Sequence, residues 1–136
     1  LCGGYNFDGV RVLFVDNRAD DCELYRLVFS GCGADITIVN SASDALDTFD
    51  SVAPHVLVSD VSLPGADGYA LIRRLRERGT DIPAVAISGF AYERDHRRAL
   101  EAGFTASLPK PVEPEQLVTT VAALLGLPHH PVPSGS

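Results

Sequence analysis

Five side chains that could act on phosphate or bind a metal stand directly after, or close behind, short apolar segments of the sequence. These residues are Asp16, Asn17, Asp60, Ser88 and Lys110. Carboxylate and carboxamide oxygens are hard ligands that suit Mg²⁺. A carboxylate can also attack phosphorus and form an acyl phosphate. An ammonium group can neutralise phosphoryl oxygens, and a hydroxyl can donate a hydrogen bond to one of them. Together the residue types indicate phosphoryl chemistry assisted by a divalent cation.

Each of these residues has an ordinary explanation when it is taken alone. Asp and Ser are frequent after strands, because they cap the following helix or form turns. Five such residues at successive strand ends are much harder to explain in that way. A lysine without a partner at a buried edge is costly. We therefore expect Lys110 to pair with Asp60.

The elements that position these residues alternate between short apolar runs and longer amphipathic segments. Strands are predicted at residues 10–15, 34–39, 55–59, 82–87 and 104–108. Helical spacing of apolar residues follows each strand. This alternation predicts an α/β fold with a parallel sheet and right-handed crossovers. For five strands we expect a doubly wound, flavodoxin-like order of 2-1-3-4-5, with a site at the carboxyl ends of the central strands.

The predicted helices differ in how strongly they are amphipathic. Leu24, Leu27 and Val28 recur at helical spacing in the first helix, and Leu71, Ile72 and Leu75 do so in the third. In the second, Ser41 followed by Asp44 resembles a capping pattern. The fourth helix, at about 93–102, is polar with a thin apolar stripe. Pro114 lies near the start of the last helix.

Composition excludes several classes of protein. The chain has 136 residues, which suits one domain, and a formal net charge of −7. This acidity argues against non-specific nucleic-acid binding. No apolar run is long enough to cross a bilayer, so we predict a cytoplasmic protein without membrane contact. The odd number of cysteines and their spacing suggest no disulfide framework, which favours a reducing compartment. The sequence contains no methionine, and we expect an excised domain or a processed product.

Four stretches of the sequence resemble the receiver domain of response regulators in two-component signalling. They are RVLFVDN at 11–17, HVLVSDVSLPGADGYALIRRLR at 55–76, PAVAISGF at 83–90 and EAGFTASLPKPVEPEQL at 101–117. The second stretch is the most specific, because a strand-end Asp is followed by x-x-x-P-G-x-D-G. The similarity extends over about residues 10–126. We expect residues 1–9 to be an N-terminal linker and residues 127–136 a disordered tail or linker.

The resemblance implies a role for each residue of the constellation. Asp60 corresponds to the phosphoacceptor, and Ser88 and Lys110 to the switch hydroxyl and the phosphate-binding lysine. The Lys110–Pro111 peptide bond is implied to be cis. The implied cofactor is Mg²⁺ or Mn²⁺, and its implied ligands are Asp16, Asn17, Asp60 and the backbone carbonyl of Ser62.

Two positions depart from the family pattern, and a third can modulate the chemistry. Asn17 stands where the family usually has a second acid, so we predict weaker Mg²⁺ binding and slower phosphorylation. Ser107 stands where many members have an aromatic residue that reports the switch. Phe90 lies two positions after Ser88, where a side chain can shield an acyl phosphate from water.

The resemblance thus implies a phosphorelay module that takes a phosphoryl group from a histidine kinase or phosphotransfer domain and switches a protein–protein surface. Such a module is not an enzyme beyond its own phosphorylation and dephosphorylation. The sequence most resembles receivers of hybrid sensor histidine kinases, and a homodimer is compatible with it. The first alternative is a pseudo-receiver, an interaction module that phosphorylation does not regulate. A haloacid-dehalogenase-type phosphatase would need an acid at Ser62, and a flavodoxin would need a Ser/Thr-rich loop after the first strand.

Overall fold

Each short apolar run of the sequence forms a strand in the computed structural model, which describes residues 2–63, 67–89 and 92–129, the side chain of Tyr92 excepted. The strands are β1 (Arg11–Val15), β2 (Asp35–Val39), β3 (Val56–Asp60), β4 (Ala84–Ser88) and β5 (Ala106–Pro109). The helices are α1 (Ala19–Gly31), α2 (Ala42–Val52), α3 (Gly68–Glu77), α4 (Tyr92–Ala102) and α5 (Pro114–Leu125). No helix among these residues is long and apolar enough to cross a membrane.

The five strands form one parallel sheet in the order β2-β1-β3-β4-β5, which confirms the predicted topology. The register pairs Val15 with Ser59, Asp60 with Ile87 and Ser88 with Pro109. The carboxyl ends of β1, β3, β4 and β5 therefore meet at one edge of the sheet. That edge is where the sequence places its chemical groups.

Two apolar cores cover the two faces of the sheet. Along β1, Val12 and Phe14 point into the core beneath α1 and α5, whereas Leu13 and Val15 point into the core beneath α2, α3 and α4. This alternation follows from the two-residue period of a strand. All residues of β3 and β4 are buried, as expected for central strands covered on both sides.

Local sequence accounts for most of the helix ends and helix faces. The Ser41 hydroxyl accepts a hydrogen bond from the Asp44 amide at 3.1 Å and caps α2, as predicted. Leu71, Ile72 and Leu75 are fully buried, as expected. Leu27 shares the helical spacing of Leu24 and Val28, but its side chain is 67% exposed. In α1 the inward positions belong instead to the aromatic and β-branched residues Tyr25, Val28 and Phe29.

A disulfide joins Cys2 to Cys32, so the expectation that the cysteines are unpaired is wrong. The N-terminal segment folds back onto the end of α1, which brings the two Cα atoms to 5.5 Å although the residues are 30 positions apart. Such a pairing depends on tertiary contact, and the cysteine spacing alone did not reveal it. Cys22 is a free thiol.

The residues before β1 pack against the domain, although the sequence suggests a linker there. Phe7 is fully buried, its amide donates to the Cys32 carbonyl, and its ring meets the Phe29 ring edge-on at 5.5 Å. At the other end of the described chain, His129 lies against Tyr5, with ring centroids 4.8 Å apart. Both termini of the described chain therefore meet on the side of the sheet that α1 and α5 cover.

Candidate functional site

Asp60 is the last residue of β3, and its carboxylate is held by two hydrogen bonds. The side chain is 2% exposed. Oδ1 accepts from the Ser62 backbone amide at 2.9 Å, and Oδ2 accepts from Lys110 Nζ at 2.7 Å. Each carboxylate oxygen has about two acceptor sites. One lone pair on each oxygen therefore remains for a metal or an electrophile.

Lys110 reaches this carboxylate from the segment after β5, as the sequence predicts. Its backbone amide donates to the Ser88 carbonyl at 2.8 Å, which fixes the chain beside β4. The lysine stem runs past Gly89, where a Cβ atom would lie 3.5 Å from Lys110 Cδ, an ordinary van der Waals contact. The peptide bond between Lys110 and Pro111 is cis, as the resemblance implies. Lys110 is the only lysine of the sequence.

Asp16 lies beside Asp60, because β1 and β3 are neighbours in the sheet. Its side chain is fully buried, Oδ1 accepts from the Arg18 amide at 2.9 Å, and Oδ2 accepts from the Tyr25 hydroxyl at 3.1 Å. Burial raises the pKa of Asp16, and the negative charge of Asp60 raises it further, whereas the two hydrogen bonds lower it. Two carboxylates therefore share one buried site that favours a cation.

Asn17 and Ser62 are both exposed and line the same open groove of about 420 Å³. Asp16, Asn17, Asp60 and the Ser62 carbonyl thus form a set of oxygen donors at one edge, and such a set suits Mg²⁺. In the part of the chain that the structure describes, no three His, Cys, Asp or Glu side chains are arranged so that they could together hold a metal ion.

The hydrogen-bond acceptor of the Ser88 hydroxyl in this structure is Asp95, not Asp60. The serine side chain is 1% exposed, and its hydroxyl donates to Asp95 Oδ2 on α4 at 2.8 Å. Ser107 is also buried, and its hydroxyl lies 2.9 Å from Nδ1 of His96. Phe90, for which the sequence suggests a modulating role, lies outside the described residues.

Three further residues support the site, and no role was predicted for them from the sequence: Tyr25, Gly68 and Asp95. Tyr25 stacks on Phe14, with ring centroids 4.5 Å apart, and its hydroxyl orients Asp16. At Gly68 a Cβ atom would come within 2.8 Å of the Val61 Cα, so the final glycine of the quoted motif lets α3 start close behind Asp60. For this glycine the motif itself was a usable signal. For Tyr25 and Asp95 the sequence carried none.

Curated relatives are similar to this chain over most of its length. A protein from the sodA1 3′ region of Leptolyngbya boryana is 39% identical over 112 residues, which cover 81% of this chain and 86% of that protein. Response regulator MprA of Mycobacterium bovis is 34% identical over 85% of this chain and 50% of its own length. Sensor histidine kinase RcsC of Salmonella typhi is 31% identical over 85% of this chain but only 12% of its own length. This chain therefore spans half or less of these two larger relatives.

Solved structures and a family model agree with these relatives. The receiver domain of a signal transduction histidine kinase from Syntrophus aciditrophicus superposes with a TM-score of 0.78 at 27% identity, over 87% of this chain and 91% of that one. The family model of the response regulator receiver domain matches residues 12–122. That match covers most of the described sheet and helices, including every residue of the candidate site. This chain belongs to the response regulator receiver domain family.

Proposed function

We propose that this chain accepts a phosphoryl group on Asp60 from a histidine kinase or a phosphotransfer domain, and that the transfer changes a protein–protein surface. The observation that carries the proposal is the pairing of Asp60 with Lys110 beside the buried carboxylate of Asp16. A nucleophilic carboxylate, a cation for the phosphoryl oxygens and a second acid for a metal are what the reaction requires.

The proposed transfer is a direct displacement at phosphorus. An oxygen of Asp60 forms the new P–O bond while the P–N bond of a phosphohistidine breaks, and the electron pair stays on the imidazole nitrogen. With a small acyl phosphate the P–O bond to the acyl group breaks, and a carboxylate leaves. Asp60 reacts as the anion, so it loses no proton. Lys110 already lies at this carboxylate, and its positive charge offsets the charge of the incoming phosphoryl oxygens.

The donor set of this chain fits a divalent cation, Mg²⁺ or Mn²⁺. Asp16, Asn17, Asp60 and the Ser62 carbonyl would hold it. A bound cation would neutralise phosphoryl charge and orient the donor. Tyr25 and the Arg18 amide keep the Asp16 carboxylate in one orientation. Asn17 supplies an oxygen without charge, and we therefore infer weaker metal binding than two acids would give.

The partners that fit this reaction are proteins. A histidine kinase or a phosphotransfer domain donates the group, and the net charge of −7 disfavours direct nucleic-acid contact. After transfer, the Ser88 hydroxyl would donate to the new phosphoryl oxygen. We propose that the surface formed by β4, α4 and β5 then changes shape and binds a partner, which is either another protein or a second copy of this chain. This chain is similar to a small part of the sensor histidine kinase RcsC, and we therefore propose that the chain is attached to a hybrid kinase.

The direct test is incubation with acetyl phosphate and Mg²⁺, followed by intact mass measurement. We expect one added phosphoryl group in the wild type and none in Asp60→Asn. Asp67→Asn is the matched control, because Asp67 caps α3 by accepting from the Ala70 amide at 2.8 Å, and an Asn can keep that bond. The control should be phosphorylated like the wild type.

The same measurement separates the two functions under consideration. If the wild type takes no group at any Mg²⁺ concentration, or if Asp60→Asn still takes one, the phosphoacceptor proposal is wrong. The first of those results would favour a pseudo-receiver, an interaction module that phosphorylation does not regulate. Phosphorylation of the Asn17→Asp variant would then show whether the lack of an acid at position 17 prevents the transfer.

A further inference from the structure

Helix α4 is attached to the sheet by polar contacts more than by apolar packing. Among its described side chains, only Ala99 and Ala102 are buried, and both are small. Leu100, its largest described apolar residue, is 43% exposed. Few buried apolar contacts mean that such a helix opens at low cost. Its position therefore depends on the hydrogen bonds that its other residues make.

Two consecutive residues of α4 reach two buried hydroxyls on neighbouring strands. Asp95 Oδ2 accepts from Ser88 Oγ at 2.8 Å, at the end of β4. His96 Nδ1 lies 2.9 Å from Ser107 Oγ on β5, where Ser107 pairs with Ala86 of β4. Ser88 and Ser107 are 1% and 3% exposed, so neither hydroxyl can turn to bulk water in exchange. The first half of α4 is thus tied to the sheet at two adjacent points.

The Ser88 hydroxyl carries a single hydrogen, which either Asp95 or a phosphoryl oxygen on Asp60 could accept. A serine hydroxyl donates one hydrogen bond at a time, and an ionised carboxylate only accepts. Asp60 is paired with Ile87 in the sheet register, so Ser88 lies one residue beyond the partner of the proposed phosphoacceptor. In this structure the hydrogen is given to Asp95. A phosphoryl oxygen on Asp60 could receive it only after the bond to Asp95 breaks.

We infer that Asp95 is a positioning residue that holds the Ser88 hydroxyl in the resting state, so that phosphorylation of Asp60 must take this hydrogen bond from α4 and thereby release the helix. The inference rests on the proposed function and names its regulation. It also assigns a role to the contact between Ser107 and His96, the residue that follows Asp95 in α4. This contact is a second attachment of α4 to the sheet, and Ser107 stands where the family often has an aromatic side chain. The switch of this chain is then a competition between two anions for one hydroxyl.

Removing Asp95 should make phosphorylation of Asp60 more favourable, because the Ser88 hydroxyl can then donate to the phosphoryl oxygen without first breaking a charge-assisted hydrogen bond. Such bonds are strong enough to shift an equilibrium by about tenfold or more. We expect Asp95→Ala to lower the acetyl phosphate concentration that gives half occupancy of Asp60 by roughly tenfold. In a Ser88→Ala background the same substitution should have no effect. Glu101→Ala removes one negative charge from an exposed position of the same helix and should match the wild type.

Hydrogen exchange of the unphosphorylated protein tests the tether without any phosphoryl transfer. Asp95→Ala and Ser88→Ala should each raise the exchange of the α4 amides, and the double variant should exchange no faster than either one. Glu101→Ala should exchange like the wild type. The exchange measurement tests the inference even if neither the wild type nor the variants take a phosphoryl group. That failure would contradict the proposed function but not the hydrogen bond between Asp95 and Ser88.

Any of four results would overturn the inference. In the phosphorylation experiment they are an unchanged half-occupancy concentration in Asp95→Ala and an equal shift in the Ser88→Ala background. In the exchange experiment they are unchanged amide exchange in α4 for both single variants and fully additive exchange in the double variant. A merely structural role for Asp95 would give additive effects, because it would not depend on the presence of the Ser88 hydroxyl.

Discussion

Lys110 Nζ lies 2.7 Å from Asp60 Oδ2, and the two residues are 50 positions apart in the sequence. The carboxylate is 2% exposed and the lysine side chain 23% exposed, so the pair is shielded on one side and open on the other. This arrangement places the ammonium group against the carboxylate and leaves part of the lysine side chain accessible to a phosphodonor. It is the contact on which the proposed reaction depends.

Replacing this lysine should slow phosphorylation strongly. Lys110→Gln can keep a hydrogen bond to Asp60 but removes the positive charge that offsets the phosphoryl oxygens. Loss of one such electrostatic contact typically costs on the order of 100-fold in rate. We expect a fall of that size in the rate of adduct formation from acetyl phosphate, followed by intact mass.

Arg18→Gln is the matched control for this variant. Arg18 lines the pocket next to Lys110, its side chain is 66% exposed, and it lies 3.8 Å from Asp21. Exposed ion pairs contribute little, so its loss should change the rate by less than about threefold. Equal losses in both variants would mean that general positive charge, and not the Asp60 contact, assists the transfer.

A second acid at position 17 should tighten metal binding. Asn17 is exposed beside two carboxylates, so Asn17→Asp adds a negative charge where a cation would bind. We expect Mg²⁺ to bind roughly tenfold more tightly by calorimetry, which corresponds to ~1.4 kcal/mol. Asn6→Asp is the control, because Asn6 is exposed in the N-terminal segment, and an aspartate can keep accepting from the Asp8 amide. Identical affinities in all three proteins would remove Asn17 from the ligand set.

The Asp16 carboxyl should make the metal-free protein lose stability as the pH rises. Its pKa in the folded protein is raised above the ordinary value of 3.8, first by burial and then by Asp60. Between these two pKa values the folded state binds more protons than the unfolded state, so the free energy of unfolding falls with rising pH. The slope from one carboxyl is at most about 1.4 kcal/mol per pH unit.

Urea unfolding in the presence of a chelator, from pH 4 to pH 8, checks this expectation. Asp16→Asn should lack this component of the pH dependence, so the wild type should lose stability relative to the variant across that range. Tyr25→Phe removes a hydrogen bond that lowers the Asp16 pKa and should extend the fall to higher pH. Parallel curves for wild type and Asp16→Asn would show that the Asp16 pKa is not raised.

Two Gly→Ala substitutions should differ in their effect on stability. At Gly68 the new Cβ atom would lie 2.8 Å from the Val61 Cα, so Gly68→Ala must displace α3 or the backbone after Asp60. Overpacking of this kind costs about 1–3 kcal/mol, and we expect phosphorylation to slow as well. At Gly31 nothing lies within 4 Å, so Gly31→Ala should be neutral or stabilising by up to about 1 kcal/mol. Equal unfolding free energies for both variants would contradict the close approach at Gly68.

The sequence by itself determined the fold class and the edge at which the chemical groups meet, and the strand order was predicted as the common one for five parallel strands. Short, near-continuous apolar runs separated by amphipathic segments leave few topologies for a five-stranded parallel sheet. Asp16, Asp60, Ser88 and Lys110 then converge, because parallel strands end at the same edge. The pairing of Lys110 with Asp60 was also predicted, because a lysine without a partner at a buried edge is costly.

The tertiary structure decided which partner each polar group takes. The Ser88 hydroxyl donates to Asp95 of α4, the Tyr25 hydroxyl holds Asp16, and Cys2 reaches Cys32. Each choice depends on distances between side chains from separate elements, set by how a helix or terminal segment rotates and docks on the sheet. Sequence periodicity specifies which face of an element is buried, but not which atoms meet across the contact. The outward position of Leu27 has the same origin, because the docking of α1 gives its inner face to Tyr25 and Phe29.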